Sequence, residues 1–247
     1  MISLSNTLLM LISEKPLDFP SIRKAMEQIN GADRKVLWST LERLVKKGCL
    51  KKNKKTAGFV FSITPAGKKN LPKDPACIKR PVRAWDGKWR MVIFDIKESK
   101  RKIRDLFTTK IKQIGFGRMQ NSVYISPHDA NDLIKDIAKN LKIEDSITMI
   151  LIEDLGVKEL PKFAENVWHL DELNKKYQEF IKNHKNSHKN IEYNEEVLKL
   201  WLKKTRYEYL SILHEDPILP KELLSKNWLG YEAENVWQQL EKILATY

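Results

Sequence analysis

The sequence is poor in cysteine and glycine and has no long apolar run, and these shortages exclude several classes of protein. Two cysteines in 247 residues, Cys49 and Cys77, exclude a disulfide framework and a four-thiolate zinc site. Free thiols are typical of a reducing compartment. Apolar runs such as MVIFDI and ITMILI have the length of a strand, so no membrane span is predicted. The N-terminal MISLSNTLLMLISEKP has neither a basic flank nor a small-residue cleavage site, which favours a first helix over a signal peptide and predicts a cytoplasmic location.

Residue sets that signal catalysis are also missing. No serine–histidine–acid or cysteine–histidine set stands out. Gly115-Phe116-Gly117 follows a predicted helix and has no third glycine, so a helix end and turn is expected there instead of a phosphate-binding loop. His184 and His188 are four residues apart without a third ligand nearby, and are expected to be incidental surface histidines. The sequence therefore predicts a protein that is not an enzyme and has no cofactor.

The positive charge is concentrated in the first third of the chain. The net charge is +13, and residues 1–80 hold 17 Lys and Arg against 6 Asp and Glu. Residues 171–247 hold 12 against 13. A generally basic solvated surface would spread this charge evenly, so the asymmetry favours a local anionic partner, nucleic acid first and a membrane surface second.

Three helical patterns occupy the first 48 residues. Apolar residues from Leu4 to Ile12 predict a helix that ends near Pro16. Ser21 is the expected N-cap of the second helix and Asp33 that of the third, which should end near Gly48. The 3.6-residue period gives the third helix an apolar face and an opposite polar and basic face. The apolar face holds Leu37, Leu41, Leu44 and Val45, and the other holds Lys35, Ser39, Glu42, Arg43 and Lys46.

A lysine-rich hairpin is predicted after the third helix. A short strand at Cys49-Leu50 precedes a turn formed by the lysines, and the alternation of residues 59–64 then indicates a half-buried strand. Three helices followed by such a hairpin predict a winged helix-turn-helix that binds double-stranded DNA. The third helix would read the major groove, and the lysines of the hairpin would hold phosphates. The predicted DNA-binding residues are Lys35, Ser39, Arg43 and Lys46 of the helix and Lys51, Lys52, Lys54 and Lys55 of the hairpin.

The middle of the chain predicts a separate α+β domain. Three prolines within residues 70–84 indicate a linker. Strand patterns at 90–96, 121–126 and 147–152, a short strand near 116–119 and two helices between them give the order βαββαβ, the ferredoxin-like plan. Ser99 and Asp129 are the expected N-caps of the two helices.

Two blocks of the sequence carry a family resemblance. The stretch WDGKWRMVIFDI, with ESKRKIRDLF and IGFGRMQNSVYISPHD after it, resembles the PaaX-type transcriptional repressors of phenylacetate catabolism. The later LHEDPILPKELLSKNWLGYEAENVW resembles the same family's DP-x-LP-x-x-LL-x-x-x-W-x-G block. The resemblance implies a repressor whose effector is an acyl-CoA-like small molecule. No cradle for the phosphates of such an effector is visible in the sequence, so the effector-binding residues stay unknown.

The middle domain of that family is also similar to the small ferredoxin-like endonuclease of CRISPR adaptation, which implies an alternative function. The first strand of that nuclease ends in a metal-binding aspartate, and Asp95 matches this position. Metal-dependent cleavage with Mg²⁺ or Mn²⁺ would require a second carboxylate near Asp95, for example its own copy across a two-fold axis. The simpler interpretation is that Asp95 caps a turn or pairs with Arg101 or Arg104.

The C-terminal region predicts helices and a hydrophobic core. Residues 197–201 and 236–243 have helical apolar spacing, DPILP indicates a turn between them, and Trp201, Trp228 and Trp237 supply apolar area for a core, a dimer interface or an effector pocket.

The predicted fold class is α+β and multidomain. The predicted parts are a winged helix at 1–70, a linker at 71–84, a ferredoxin-like domain at 85–170 and a helical dimerisation or effector domain at 171–247. The expected molecule is a homodimer on a palindromic operator.

Overall fold

A computed structural model describes residues 3–56, 58–71, 84–185 and 195–244. The fold is α+β, as predicted, with two antiparallel sheets. The helices are α1 Leu4–Glu14, α2 Phe19–Asn30, α3 Arg34–Lys46, α4 Pro65–Lys69, α5 Arg101–Gln113, α6 Asn131–Leu141, α7 Leu160–Trp168, α8 Leu170–His184, α9 Glu195–Glu215 and α10 Gly230–Leu244. The strands are β1 Leu17–Asp18, β2 Leu50–Lys55, β3 Gly58–Ile63, β4 Trp89–Phe94, β5 Gly117–Gln120, β6 Val123–Ser126 and β7 Ile147–Ile152. None of the helices in the described ranges has the length and apolar character needed to cross a bilayer.

The chain forms two compact units, and both are discontinuous in sequence. The first unit takes residues 1–75, 180–211 and 232–247, and the second takes 76–179 and 212–231. The region predicted as one C-terminal domain, 171–247, contributes residues to both units. The division falls within α8, α9 and α10.

In the first unit, α1, α2 and α3 accompany a three-stranded sheet of order β1-β3-β2. The predicted cap of α3 is confirmed, because Asp33 accepts hydrogen bonds from the first turn of the helix. The predicted cap of α2 is wrong: Asp18 is the N-cap, and Ser21 is the residue whose backbone N–H it binds at 2.9 Å. Strand β1, which pairs with β3 and ends at this Asp18, was not predicted. The buried side chains of this helix–sheet module include Leu8, Ile12, Ile22, Met26, Leu37, Leu41 and Phe61.

The second unit contains the predicted βαββαβ order. Elements β4, α5, β5, β6, α6 and β7 follow one another, and the antiparallel sheet has the order β5-β6-β4-β7. The strand predicted at 147–152 is confirmed with both of its ends. The predicted cap of α5 is wrong: Ser99 lies in a 3-10 turn, and α5 starts at Arg101 without a side-chain cap. Gly115, with φ of +97°, follows the end of α5, as expected for a helix end.

Both faces of the four-stranded sheet pack against other elements, and β7 is one of its two edge strands. One face packs Val92, Phe94 and Tyr124 against side chains of α5 and α6. The other packs Trp89 and Ile125 against α7 and the segment that contains Leu219 and Leu223. No described strand pairs with the outer edge of β7. Three side chains of this strand are partly exposed: Met149, Ile150 and Leu151.

The DPILP segment forms the predicted turn and is held by a buried aspartate. The Tyr177 hydroxyl donates to Asp216 Oδ2 at 2.6 Å, and the Ile218 backbone N–H donates to Asp216 Oδ1 at 2.7 Å. Ile218 has a φ of +53°, which is unusual for a β-branched residue. These two hydrogen bonds fix a backbone turn that local preference alone would not favour.

Candidate nucleic-acid interface

Helix α3 presents polar and basic side chains to solvent. Asp33 Oδ1 accepts from the backbone N–H of Lys35 at 2.7 Å and of Val36 at 3.3 Å, which satisfies two of the free N–H groups at this helix start. The predicted apolar face is buried through Leu37, Leu41 and Leu44. On the outward face, the side chains of Lys35, Ser39, Arg43 and Lys46 are all exposed.

The lysines of the hairpin lie in a strand, and the prediction that they form its turn is wrong. Strand β2 runs to Lys55, and it pairs residue by residue with β3 from Leu50↔Ile63 to Lys55↔Gly58. The chain reverses after Lys55. Alternation along β2 therefore sends Lys52 and Lys54 to the face that also carries Phe59 and Phe61, and Lys51 and Lys55 to the opposite face.

Lys52 differs from its neighbours because its ammonium group is held within the module. Its Nζ lies 2.6 Å from Glu42 Oε1, with only 22% of the Lys52 side chain exposed. The same Nζ lies 4.0 Å from the ring centroid of Phe59 and 4.7 Å from that of Trp38, which are cation–π distances. Trp38 makes edge contacts with the rings of Phe59 and Phe61 at 6.0 Å each. These contacts attach the hairpin to α3 and engage one of the cations predicted to bind phosphate.

Apart from Lys52, the basic residues predicted to bind DNA are exposed to solvent. Lys51, Lys54 and Lys55 are exposed, and within the described ranges they form no ion pair; the same holds for Lys35 and Lys46. Arg43 is exposed too, although its guanidinium donates to Ser5 Oγ on α1 at 2.9 Å. Six of the predicted cations on the helix and the hairpin are therefore exposed, and their charges repel one another unless an anion lies nearby.

Two further exposed residues of α3 were missed in the sequence. Arg34 begins the helix and is exposed, and Val36 is 50% exposed although it is a large apolar residue. The N-terminal part of a recognition helix is the part that contacts base edges, and an apolar side chain can contact the methyl group of thymine. Their position in the first turn after the capping Asp33 was the available signal.

Asp95 directly follows β4. It is exposed, and its backbone N–H donates to the Ser146 carbonyl at 2.9 Å. The predicted arginine partners bind elsewhere: Arg104 donates to Glu98 at 2.8 Å, and Arg101 lies within 4.0 Å of Glu98 and Asp105. Among the described residues, no group of three or more His, Cys, Asp or Glu side chains could hold a metal ion.

His184 is buried, so its predicted surface position is wrong. It lies in the last turn of α8 with 4% of its surface exposed. Its Nε2 is 3.0 Å from Glu208 Oε2, and its Nδ1 is 3.5 Å from Thr205 Oγ1. Burial is the largest single influence on Glu208, and it raises the pKa of this carboxyl group. Hydrogen bonding to His184 and the charge of Lys204 together outweigh burial, so the pKa is lowered. The pair joins α8 to α9, and His188 lies outside the described residues.

The fold and the surface define a class: multidomain α+β proteins with a basic helix–hairpin module and a ferredoxin-like sheet. Residues 82–164 match the family model described as the PaaX protein central Cas2-like domain, and residues 168–247 match the PaaX-like protein C-terminal domain. The chain belongs to the PaaX-type family, and the similarity of its middle domain to the CRISPR-associated protein is confirmed.

Two individual proteins are similar to the chain. The transcriptional repressor PaaX of Escherichia coli strain K12 is 25% identical over 217 residues, which are 82% of this chain and 67% of that protein. An uncharacterized protein from Mycobacterium tuberculosis has a similar structure, with a TM-score of 0.53 and 18% identity. That match covers 98% of this chain and 95% of the other, and it shows a shared fold.

Proposed function

We propose that this protein is a sequence-specific DNA-binding transcriptional repressor that acts as a homodimer on a roughly palindromic operator. The observation that carries the proposal is the pair of exposed basic surfaces on α3 and β2, joined through Lys52, Glu42 and Trp38. The similarity to a protein named as a transcriptional repressor supports it.

In this proposal the first three helices and the β2–β3 hairpin act as a winged helix-turn-helix. Helix α3 enters the major groove and reads base edges through residues such as Ser39 and Arg43, while Lys51, Lys54 and Lys55 hold phosphates. Lys52 is left out of the phosphate contacts because its ammonium group is already paired. Each phosphate neutralised by a lysine contributes about 0.9 to the salt slope of binding.

The outer edge of β7 supports the homodimer. All six residues of ITMILI are uncharged, and Leu151 is 54% exposed. Edge strands of soluble proteins normally carry charges or are covered, since their free N–H and C=O groups pair with other strands. A second copy of the same strand, antiparallel across a two-fold axis, satisfies these groups and covers the apolar side chains.

Selection of bound sequences from a random duplex pool tests the function. A palindromic consensus is expected, and Ser39→Ala or Arg43→Ala should change the preferred base at one or two positions, by about 1–3 kcal/mol each. Lys24→Ala, an exposed change on α2, is the matched control and should retain the consensus. Tight binding without any consensus would mean a DNA-bridging protein instead of a repressor.

The two other functional expectations, metal-dependent cleavage and release by an effector, have no comparable support. Asp95 is exposed and has no second carboxylate in a metal-binding group among the described residues, so no observation favours metal-dependent cleavage. Incubation of the protein with DNA or RNA and Mg²⁺ or Mn²⁺, repeated with Asp95→Ala, tests that alternative. Release by an acyl-CoA-like effector stays a prediction.

A further inference from the structure

A polar cleft lies in the second unit, between α5 and the β5–β6 hairpin. Its volume is about 360 Å³, which is in the range of small-molecule sites. Helix α5 contributes Arg104, Asp105 and Thr108 to its wall, and the hairpin contributes Arg118 and Tyr124. None of these residues has a role in the proposed DNA contacts, so the cleft is independent of that proposal.

Tyr124 supplies a hydroxyl group to the wall of the cleft. Only 4% of this residue is exposed, and its ring stacks on Phe94 with centroids 5.8 Å apart. Its hydroxyl has no hydrogen-bond partner among the described residues. The one fully enclosed side-chain nitrogen or oxygen without a partner in those residues is Arg90 Nε, so the Tyr124 hydroxyl opens into the cleft. A ligand in the cleft can therefore accept a hydrogen bond from this hydroxyl.

Arg118 places a free cation beside this hydroxyl. Arg118 and Tyr124 are directly opposite each other in the β5–β6 pair, so their side chains lie on the same face of the sheet. Arg118 is exposed and has no ion pair within the described ranges. Burial raises the pKa of Tyr124, and the charge of Arg118 lowers it only in part. The hydroxyl therefore stays protonated at neutral pH and acts as a donor.

The remaining wall is mixed in charge. Arg104 is partly engaged, since it donates to Glu98 at 2.8 Å. The carboxylate of Asp105 lines the cleft and repels an anion, while Thr108 donates its hydroxyl proton to the Asp105 carbonyl at 2.9 Å. Asn121 adds an exposed amide from the hairpin turn. The donors therefore outnumber the single carboxylate.

We propose that this cleft binds a small phosphate monoester, whose phosphate accepts hydrogen bonds from Arg118, the Tyr124 hydroxyl and Asn121. A phosphate offers three acceptor oxygens to such a set of donors, and the guanidinium can bind two of them at once. The cleft volume accommodates the phosphate and a short organic group.

Calorimetric titration of the full chain, without DNA and at constant ionic strength, tests the site with glycerol phosphate as the probe and glycerol as its uncharged counterpart. Saturable binding of glycerol phosphate alone is expected. Arg118→Gln should weaken it about tenfold, and Tyr124→Phe, which keeps the ring, about threefold. Asp105→Asn should instead tighten binding, because it removes the repelling carboxylate.

Lys102→Gln is the matched control, since Lys102 is exposed on the same helix, does not line the cleft and forms no ion pair within the described ranges. Arg118 is exposed, so the Arg118→Gln variant should keep the melting temperature of the parent. Its affinity for glycerol phosphate decides the test even if Tyr124→Phe does not fold. Equal affinity in Arg118→Gln and Lys102→Gln, or no binding at millimolar glycerol phosphate, would overturn the proposal. Loss of duplex DNA binding in Arg118→Gln without any phosphate-ester binding would assign the cleft to nucleic acid and overturn it as well.

Discussion

Lys52 and Lys54 lie on the same face of β2, yet only one of them is exposed. The alternation along the strand gives both residues the same direction, but Glu42 and Trp38 of α3 reach only Lys52. The sequence shows a run of equivalent lysines, because their difference arises from a contact with another element. Charge counting therefore treated these lysines as one group and could not separate the structural Lys52 from the exposed ones.

Replacement of Lys52 and Lys54 by methionine should affect two different properties, stability in the first case and DNA binding in the second. Lys52→Met removes the ion pair and leaves Glu42 half-buried without a partner, so the free energy of unfolding should fall by about 1–2 kcal/mol. Lys54→Met should leave stability unchanged but lower the salt slope of DNA binding by about 0.9. Urea denaturation and binding at several salt concentrations measure the two quantities. A lower salt slope in Lys52→Met would contradict the structural role of this residue.

The ion pair of Asp86 with Arg90 makes one contribution to stability sensitive to acid. Arg90 is buried and donates to both carboxylate oxygens of Asp86, at 2.8 and 2.5 Å, and these hydrogen bonds lower the pKa of Asp86 to about 2. Because this value lies below the ordinary 3.8, the pair stabilises the fold fully above pH 3.8, and its contribution is lost as the pH falls towards about 2.

Asp86→Asn should therefore lower the melting temperature at neutral pH and reduce its decline in acid. Thermal denaturation between neutral pH and pH 2 measures both effects against the parent. Asp132→Asn is a suitable control, since the Asp132 side chain is 98% exposed. If Asp86→Asn and the parent lost stability over the same acid range, another carboxylate would be responsible.

At the scale of secondary-structure elements, the sequence predicted the helices and strands that have one clear hydrophobic pattern. The leucines of α3 repeat with the helical period after a capping Asp33, and β7 is a six-residue apolar run, so both were found. Strand β2 was placed in a turn because lysines occupy both of its faces and hide the alternation. Strand β1 has two residues, too few for any period, and it exists because β3 offers an edge to Leu17 and Asp18.

At the end of α8, the local sequence pattern also failed to predict that His184 is buried. The segment IKNHKNSHKN is polar enough to predict a loop, but α9 covers His184 and supplies Glu208. A hydrogen-bond partner 24 positions away cannot be inferred from local pattern. The polarity of the segment was therefore a poor guide to the surroundings of His184.

Loss of this pair should weaken the packing of α8 against α9. Glu208→Gln removes the carboxylate that faces His184 and Lys204, so the free energy of unfolding should fall by about 2 kcal/mol. Urea denaturation measures this loss, with the exposed Glu179→Gln on α8 as the control. If both variants matched the parent, the buried pair would make no net contribution to stability.

At the scale of the molecule, the family assignment and the basic surface rest on different parts of the chain. The two family models match residues 82–164 and 168–247, whereas α3 and β2 lie before residue 56. The charge asymmetry visible in the sequence located the basic surface. The compact units, by contrast, were not predictable from a linear pattern, because each combines segments far apart in sequence.

The proposed dimer predicts the effect of a charge on the β7 edge. Leu151→Lys places an ammonium group on each copy of an edge that would pair with itself, so two like charges meet near the two-fold axis. Analytical ultracentrifugation should show a monomer where the parent is a dimer. Because a dimer engages both half-sites at once, affinity for the full palindrome should fall by about two orders of magnitude, while affinity for an isolated half-site should not change.

Leu133→Lys separates this effect from a general loss of surface apolarity. Leu133 lies on α6 and is 53% exposed, almost the same fraction as Leu151, but it is not on an unpaired strand edge. The Leu133 variant should stay dimeric and bind the palindrome like the parent. A dimeric Leu151→Lys would place the two-fold contact elsewhere, and the half-site measurement would then still test the proposed DNA contacts of α3 and the hairpin within one protomer.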